Sequence, residues 1–297
     1  MSANWSWYII ILTAINILAC FWLIRWNSQK RRGDVIKEEA DTTGHIWDND
    51  LQEYNNPLPR WWLWLFYITI VFAIGYLVLY PGMGNYAGTR DWDQIGQYQD
   101  EMQTAEAKYG PIFTAYAQQP IPELAGDKQA IASGERLFLT YCATCHGSDA
   151  GGASGFPNLT DKVWLWGGTP EAIKTSILDG RNAMMPPLGA GLPDAQVDEL
   201  VAYVLSLNGR EAEPAKVTAG KITFEAMCVA CHGADGTGNP AAGFPDLTNN
   251  TWLYGGSPGK IRETIVKGRS GVMPAHRDFL GEEKAHLLAA YVYSLSQ

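Results

Sequence analysis

From residue 134 onward the sequence repeats itself, and that duplication limits what the C-terminal half can be. Gly134–Gly147 matches Gly220–Gly233 at an offset of 86 residues; after a two-residue insertion the offset is 88 and stays there. GFPNLT at 155–160 recurs as GFPDLT at 243–248, and Trp164-Leu165-Trp166-Gly167-Gly168 recurs as Trp252-Leu253-Tyr254-Gly255-Gly256. Met185-Pro186 matches Met273-Pro274, and AYVLSL at 202–207 matches AYVYSL at 290–295. Two copies at this period are not a solenoid, which stacks more and shorter units. They are two small domains, 133–208 and 219–297, joined by a linker over 209–218. Each copy predicts three helices. One precedes the first cysteine (Ser133–Tyr141; Ala219–Met227), one opens on a proline (Pro170 to about Leu178; Pro258 to about Lys267), and one is amphipathic (Asp194–Leu207; Glu282–Leu295). No segment alternates like a strand, so the expected class is all-α. Domains this small are marginal on their own packing and gain from a bound apolar group.

Each copy carries one chemical motif. Cys142-Ala143-Thr144-Cys145-His146 and Cys228-Val229-Ala230-Cys231-His232 are both C-x-x-C-H, the spacing of c-type haem attachment. Two thiols two residues apart on one turn of chain reach the two vinyl groups of a haem. The adjacent imidazole then lies beneath the iron. A redox dithiol needs neither the histidine nor a second copy. A structural zinc site would have to join two units that stand 86 residues apart, each with its own histidine. The sixth ligand is expected downstream. Met185 follows His146 by 39 residues and Met273 follows His232 by 41, both before a proline. Met184 competes at the first position and His276 at the second, where copy one has Leu188. Pro157 and Pro245 are placed to offer carbonyls to the proximal imidazoles. Trp164, Trp252, Arg181 and Arg269 are candidate donors to haem propionates. Met83, Met102, Met227, His45 and His286 are assigned ordinary packing or surface roles.

The N-terminal third is of another kind. Trp5 to Ile24 and Trp61 to Tyr80 are two runs of 20 residues without a charge. As helices each spans about 30 Å, the thickness of a bilayer's hydrocarbon core. Trp5, Trp7, Trp22, Trp26, Trp61, Trp62 and Tyr80 stand near their ends, where amphipathic rings favour the headgroup zone. The first run has no basic residue before it, unlike a signal peptide, and it continues past Cys20, a buried thiol rather than a lipidation site. Arg25, Lys30, Arg31, Arg32, Lys37 and Arg60 follow or flank the runs, which puts the 25–60 loop in the cytoplasm. The expected plan is a first span over 1–24, a second over 61–80, a connector over 81–132 with a short helix Gln99–Tyr109 ending before Pro111, and both C-x-x-C-H domains outside. Neither span contains histidine, so neither ligates intramembrane haem or copper through imidazole.

Composition closes off other classes. With 46% hydrophobic and 18% charged residues the chain is not disordered. A net charge of −9 argues against nucleic acid as a partner. Five cysteines are too few for a disulfide scaffold.

Thr42-Thr43-Gly44-His45-Ile46-Trp47-Asp48, continuing to Asn55-Asn56-Pro57-Leu58-Pro59-Arg60-Trp61-Trp62, then a membrane helix and two C-x-x-C-H domains, resembles the dihaem subunit family of cbb3-type cytochrome c oxidases (CcoP or FixP). The resemblance covers nearly the whole chain. The extra N-terminal span resembles a variant found in some pseudomonad-like bacteria. The resemblance implies two tandem class I-like cytochrome c domains behind two membrane helices, in the bacterial inner membrane, with N-terminus and haem domains periplasmic. It implies two covalently bound haem c groups, attached at Cys142, Cys145, Cys228 and Cys231, with His146 and His232 proximal and Met185 and Met273 distal. It also implies electron relay from a soluble periplasmic cytochrome c to a monohaem subunit and a catalytic haem–copper subunit, which reduces oxygen to water and pumps protons. The chain itself has no oxygen-reducing site in this reading. A free-standing membrane-anchored dihaem shuttle is the neighbouring alternative; a haem-based sensor is the distant one, since no output domain follows. Whether each Met serves its own domain or the two are exchanged stays open at this level.

Overall fold

Hydropathy alone builds the first part of the chain. The computed structural model describes residues 1–28, 42–54 and 58–297. Lys30, Arg31, Arg32 and Lys37, which weigh in the inward assignment of the 25–60 loop, lie outside the described residues, as do Asn55, Asn56 and Pro57. The chain divides into two units, Met1–Glu106 and Ala107–Gln297.

In the first unit, α1 (Ala3–Ser28) and α2 (Arg60–Leu79) are each long and apolar enough to cross a bilayer, with mean hydropathy 2.2. Only Ser6 and Ile24 of α1 are buried, and no residue of α2. The Phe21 and Tyr67 rings meet at 5.9 Å. At the other end the Asn85 amide donates to Ser6 Oγ at 2.9 Å. Ser6 opens α1 and Asn85 follows α2, so the two helices run antiparallel. Gly84 permits that joint: its φ is +60°, and a Cβ there would stand 2.3 Å from Ser6 Oγ. Between the helices lies an antiparallel hairpin, β1 (Thr42–Trp47) and β2 (Leu51–Tyr54), with Trp47 opposite Leu51. The all-α expectation missed it. Asp48 and Asn49 take positive φ at its turn, as their residue types allow.

The boundary between the units falls within α3 (Gln94–Ala117). This helix is longer than expected. Asp93 caps its start, accepting from the amides of Ile95 and Gly96. It also runs through Pro111, which costs about 3 kcal/mol in a helix interior. Tertiary contacts beyond the proline offset that. Phe113 and Tyr116 pack on a buried cluster, and the Thr114 hydroxyl donates to Glu283 Oε1 at 2.8 Å.

The second unit continues with α4 (Ile121–Leu124), α5 (Lys128–Tyr141), α6 (Ala143–His146), α7 (Pro170–Asp179) and β3 (Arg181–Met185). A 3-10 turn over Leu188–Gly191 follows. Then come α8 (Asp194–Leu207), α9 (Pro214–Met227), α10 (Val229–His232), α11 (Pro258–Lys267), β4 (Arg269–Met273) and α12 (Arg277–Leu295), which bends at Gly281. The fold is mostly helical, as expected, with β3 and β4 as one short antiparallel ribbon. Proline at the first helical position and a Thr169 or Ser257 side chain accepting from the amide three residues on explain why α7 and α11 start where they do.

The packing cuts across the duplication. The last helix of copy two, α12, lies on α5 and α7 of copy one. The last helix of copy one, α8, lies on α9 and α11 of copy two. One buried cluster therefore joins Phe138, Ile173 and Ile177 to Leu287, Leu288 and Tyr291. The other joins Val197, Leu200 and Tyr203 to Phe224, Ile261 and Ile265. Phe138 meets Tyr291 at 5.3 Å between centroids and Phe224 meets Tyr203 at 5.0 Å. Phe138 and Phe224 are 0% and 1% exposed, and each contributes about 1.5–3 kcal/mol by burial.

Glycine makes both helix crossings possible. A Cβ on Gly134 of α5 would stand 2.7 Å from Tyr291 Cβ, and one on Gly220 of α9 would stand 2.0 Å from the Glu199 carbonyl oxygen. Gly134→Ala and Gly220→Ala should therefore destabilise the protein by about 1–3 kcal/mol, although alanine favours a helix by about 1 kcal/mol. Gly259→Ala in α11, where a Cβ meets nothing within 4 Å, should be neutral or slightly stabilising. Denaturation midpoints of the full chain check this; a Gly220→Ala protein as stable as the parent would contradict the crossing.

Candidate haem-binding sites

Both C-x-x-C-H motifs sit on a single helical turn, and helix geometry brings their groups to one side. α5 ends at Tyr141, Cys142 stands between it and α6, and His146 closes α6. α9, Cys228 and α10 repeat this. Cys142 and Cys228 are half-buried, Cys145 and Cys231 exposed, and all four are free thiols. Burial, with Cys145 beside it, pushes the Cys142 thiol up to about 11; burial likewise raises Cys228. Reactive redox thiols are lowered rather than raised.

The imidazoles are oriented by the GFP segments, as the sequence suggested. His146 Nδ1 lies 3.0 Å from the Pro157 carbonyl oxygen and His232 Nδ1 lies 3.2 Å from that of Pro245. A carbonyl only accepts, so Nδ1 carries the hydrogen in both rings. Burial, the larger effect, lowers both histidines below the ordinary imidazole range, against the opposing pull of the proline carbonyls; His276 lowers His146 further. Each ring is thus held neutral with its Nε2 lone pair available, the form that ligates iron.

The distal candidates lie on the β3–β4 ribbon. Its register pairs Arg181 with Met273, Ala183 with Gly271 and Met185 with Arg269. Alternation puts Arg181, Ala183 and Met185 on the inner face of β3, and Asn182 and Met184 outside. Met184 is 73% exposed, so strand parity separates it from Met185. Met273 packs on the cluster that also receives Cys142, Ala143 and Trp164. Met185 packs on the cluster that receives Cys228, Val229 and Trp252. Each methionine therefore packs on the cluster that holds the first motif cysteine of the other copy. Gly180 and Gly268 let the ribbon close. At φ +69° and +70°, a Cβ on them would stand 2.4 Å from the Met273 carbonyl oxygen and 2.5 Å from that of Met185.

Aromatic loops interlock in the same reciprocal way. Trp166 of copy one lies against Gly243 of copy two, where a Cβ would meet its ring at 2.3 Å; Tyr254 lies 3.5 Å from the equivalent point on Gly155. The Gly155 amide donates to the Leu253 carbonyl at 2.9 Å. Arg181 stacks on Trp166 and Arg269 on Tyr254, each 4.8 Å from the ring centroid.

The donor set fits a haem with buried carboxylates nearby. Arg269 Nη2 and His276 Nδ1 are buried polar atoms with no hydrogen-bond partner among the described residues. A propionate would satisfy the arginine. Among the described residues, no three His, Cys, Asp or Glu side chains converge as a metal cage. His286 is accounted for by packing: its Nε2 lies 2.8 Å from the Gln119 carbonyl oxygen. His45 stands 6.5 Å from Trp47 in the hairpin, and Cys20 is exposed on α1 rather than buried.

Two helices apt to span a membrane and a pair of interlocked C-x-x-C-H units define a membrane-attached tandem c-type cytochrome. The family model for the N-terminal domain of cytochrome oxidase-cbb3, FixP, matches residues 39–87. The model for cytochrome c oxidase, cbb3-type, subunit III matches 129–204 and 215–292. The chain is 45% identical to a cbb3-type cytochrome c oxidase subunit CcoP of Rubrivivax gelatinosus, over all of this chain and 96% of that protein. It is 39% identical to the CcoP subunit of Cereibacter sphaeroides (86% of this chain, 95% of that one). It is 38% identical to the FixP subunit of Sinorhizobium medicae (86% and 94%). The chain belongs to the CcoP/FixP family of cbb3-type cytochrome c oxidase subunits. Membership makes it a membrane-associated oxidase component with other oxidase subunits as partners, and its cytochrome c domains imply haem c.

The ribbon that carries the methionines can be tested directly. Asn182 and Val272 face each other across the ladder and both point outward. Asn182→Cys with Val272→Cys should form an intramolecular disulfide, since directly opposed strand residues lie within bridging distance. Protease cleavage between the copies followed by non-reducing electrophoresis should leave one band; two bands would refute the ribbon.

Proposed function

We propose that the chain carries two covalent haem c groups and relays single electrons between a soluble periplasmic cytochrome c and the monohaem and catalytic haem–copper subunits of a cbb3-type oxidase. The observation that carries this is the doubled site: in each, a C-x-x-C-H imidazole is locked by a proline carbonyl, and the motif's first cysteine packs on the cluster that also receives a methionine of the other copy. Bound haem supplies a one-electron ferric/ferrous couple. The chain supplies the rest. Cys142 and Cys145 hold one haem by thioethers, and Cys228 and Cys231 the other. His146 and His232 give a neutral nitrogen from the proximal side. Met273 gives its thioether to the haem of Cys142 and Cys145, and Met185 to that of Cys228 and Cys231. This exchanged pairing replaces the simpler one in which each methionine serves its own copy.

A soft, neutral thioether favours the ferrous state and raises the reduction potential. An imidazole and a thioether at each site would hold the haem iron and leave no place for a substrate, so the chemistry supplied would be electron transfer. The membrane helices anchor the chain with its N-terminus and haem domains in the periplasm. Arg25 and Arg60, with the basic residues between them, hold the intervening loop in the cytoplasm.

Two experiments test this. Pyridine haemochrome assay of the purified chain should give two haems per polypeptide, resistant to acid acetone; one haem, or extractable haem, contradicts the reading. The pairing needs a label. Cys142→Ala leaves one vinyl group conjugated, so the α band of that haem shifts to the red of its neighbour. On this background Met185→His should lower the potential of the unshifted haem and Met273→His that of the shifted one, with Met184→His leaving both in place. The opposite assignment would show that each copy keeps its own methionine.

A further inference from the structure

The two sites are related by the duplication, yet their charges differ. In copy one, Arg181 is held by neutral groups: Nε donates to Ser176 Oγ at 2.8 Å and Nη2 to the Ala172 carbonyl at 3.3 Å. Among the described residues no carboxylate lies within ion-pair distance of it. In copy two, Arg269 Nε donates to Thr264 Oγ1 at 2.9 Å, the equivalent of the serine contact. Its Nη1, however, meets Glu263 Oε1 at 3.2 Å. Glu263 corresponds to Thr175 in copy one at the offset of 88, and Thr175 is exposed.

The ribbon decides which haem feels each arginine. Arg181 is opposite Met273 and Arg269 opposite Met185, all four on the inner face. Arg181 therefore belongs to the site of Cys142, Cys145 and His146, and Arg269 to that of Cys228, Cys231 and His232. Arg269 Nη2 is buried and has no hydrogen-bond partner among the described residues.

We propose that Glu263 sets the potential of one haem: by pairing with Arg269 it compensates, at the Cys228–Cys231 site, a positive charge that no side-chain carboxylate among the described residues compensates for Arg181 at the Cys142–Cys145 site. Reduction places one electron on the iron, so a nearby cation favours the reduced form and a compensated cation does so less. Glu263 also bonds Lys260 at 2.9 Å. The lysine side chain is 54% exposed, against 20% for Arg269, and solvent screens it more strongly. A shared electron is then biased toward the haem on Cys142 and Cys145. This rests on the two-haem reading and on the exchanged methionines, and adds a charge difference between the two sites.

Potentiometric titration of the detergent-solubilised full chain, followed optically, tests it. Glu263→Gln keeps the shape and removes the charge. It should shift one wave to higher potential by about threefold in the reduction equilibrium, roughly 28 mV at about 59 mV per tenfold for one electron. That wave should be the one lowered by Met185→His. Thr175→Glu installs the carboxylate beside Arg181 and should shift the other wave, the one lowered by Met273→His, downward. If Glu263→Gln leaves both midpoints in place, or moves the Met273-dependent wave, the inference is wrong; if that variant loses haem, Thr175→Glu decides by the same criterion. Failure of the underlying reading looks different: the parent chain would then hold fewer than two haems, or Met185→His would move the wave of the Cys142-labelled haem.

Discussion

The second unit depends on two close helix crossings made by glycine. Where Gly134 meets Tyr291 and Gly220 meets the Glu199 carbonyl, no side chain fits between the backbones. These contacts are sequence-distant for α5 with α12 but nearly local for α8 with α9, which are separated by the short segment Asn208–Glu213. Closing a short loop costs less entropy than closing one across the domain. Copy one's last helix therefore meets copy two's first helix, its neighbour along the chain. α12 is then left to cover α5, and the exchange is complete.

From that exchange the sites follow. Once α8 and α12 have changed places, β3 and β4 must pass each other between the two clusters, and they pair as an antiparallel ribbon. Cross-strand geometry fixes Met185 beside Arg269 and Met273 beside Arg181. The same ribbon puts Gly180 and Gly268 against the carbonyls of the opposing methionines. In the proposed assignment neither haem site is complete within one copy. The linkage also explains how two small domains gain stability, since each draws its core from both copies and buries Phe138 or Phe224 against a ring from the other.

Much of the helical plan was legible. Asp194–Leu207 is α8 without change, and Pro170 and Pro258 open α7 and α11 as proline at a first turn should. The first helices start earlier than expected, at Lys128 and Pro214, because Asp127 caps one and the linker's own proline opens the other. The helix through Pro111 and the hairpin around Asp48 and Asn49 were not legible. In the first, contacts of Phe113 and Thr114 outweigh a local penalty. In the second, the pairing of six residues with four has too little periodic signal.

The sequence by itself determined the chemistry: two C-x-x-C-H turns, the proline carbonyls that orient their imidazoles, and two apolar runs of bilayer length. Each is a local pattern whose meaning lies in adjacent residues. Only the tertiary structure decided which buried cluster each methionine joins and that Met185, not Met184, turns inward. The physical reason is the duplication. Copies with matching helices and loops offer nearly the same contacts whether they fold separately or exchange, so local preference is degenerate. The balance is set by loop length, by strand parity and by the two notches at Gly134 and Gly220, which exist only once two helices have packed together.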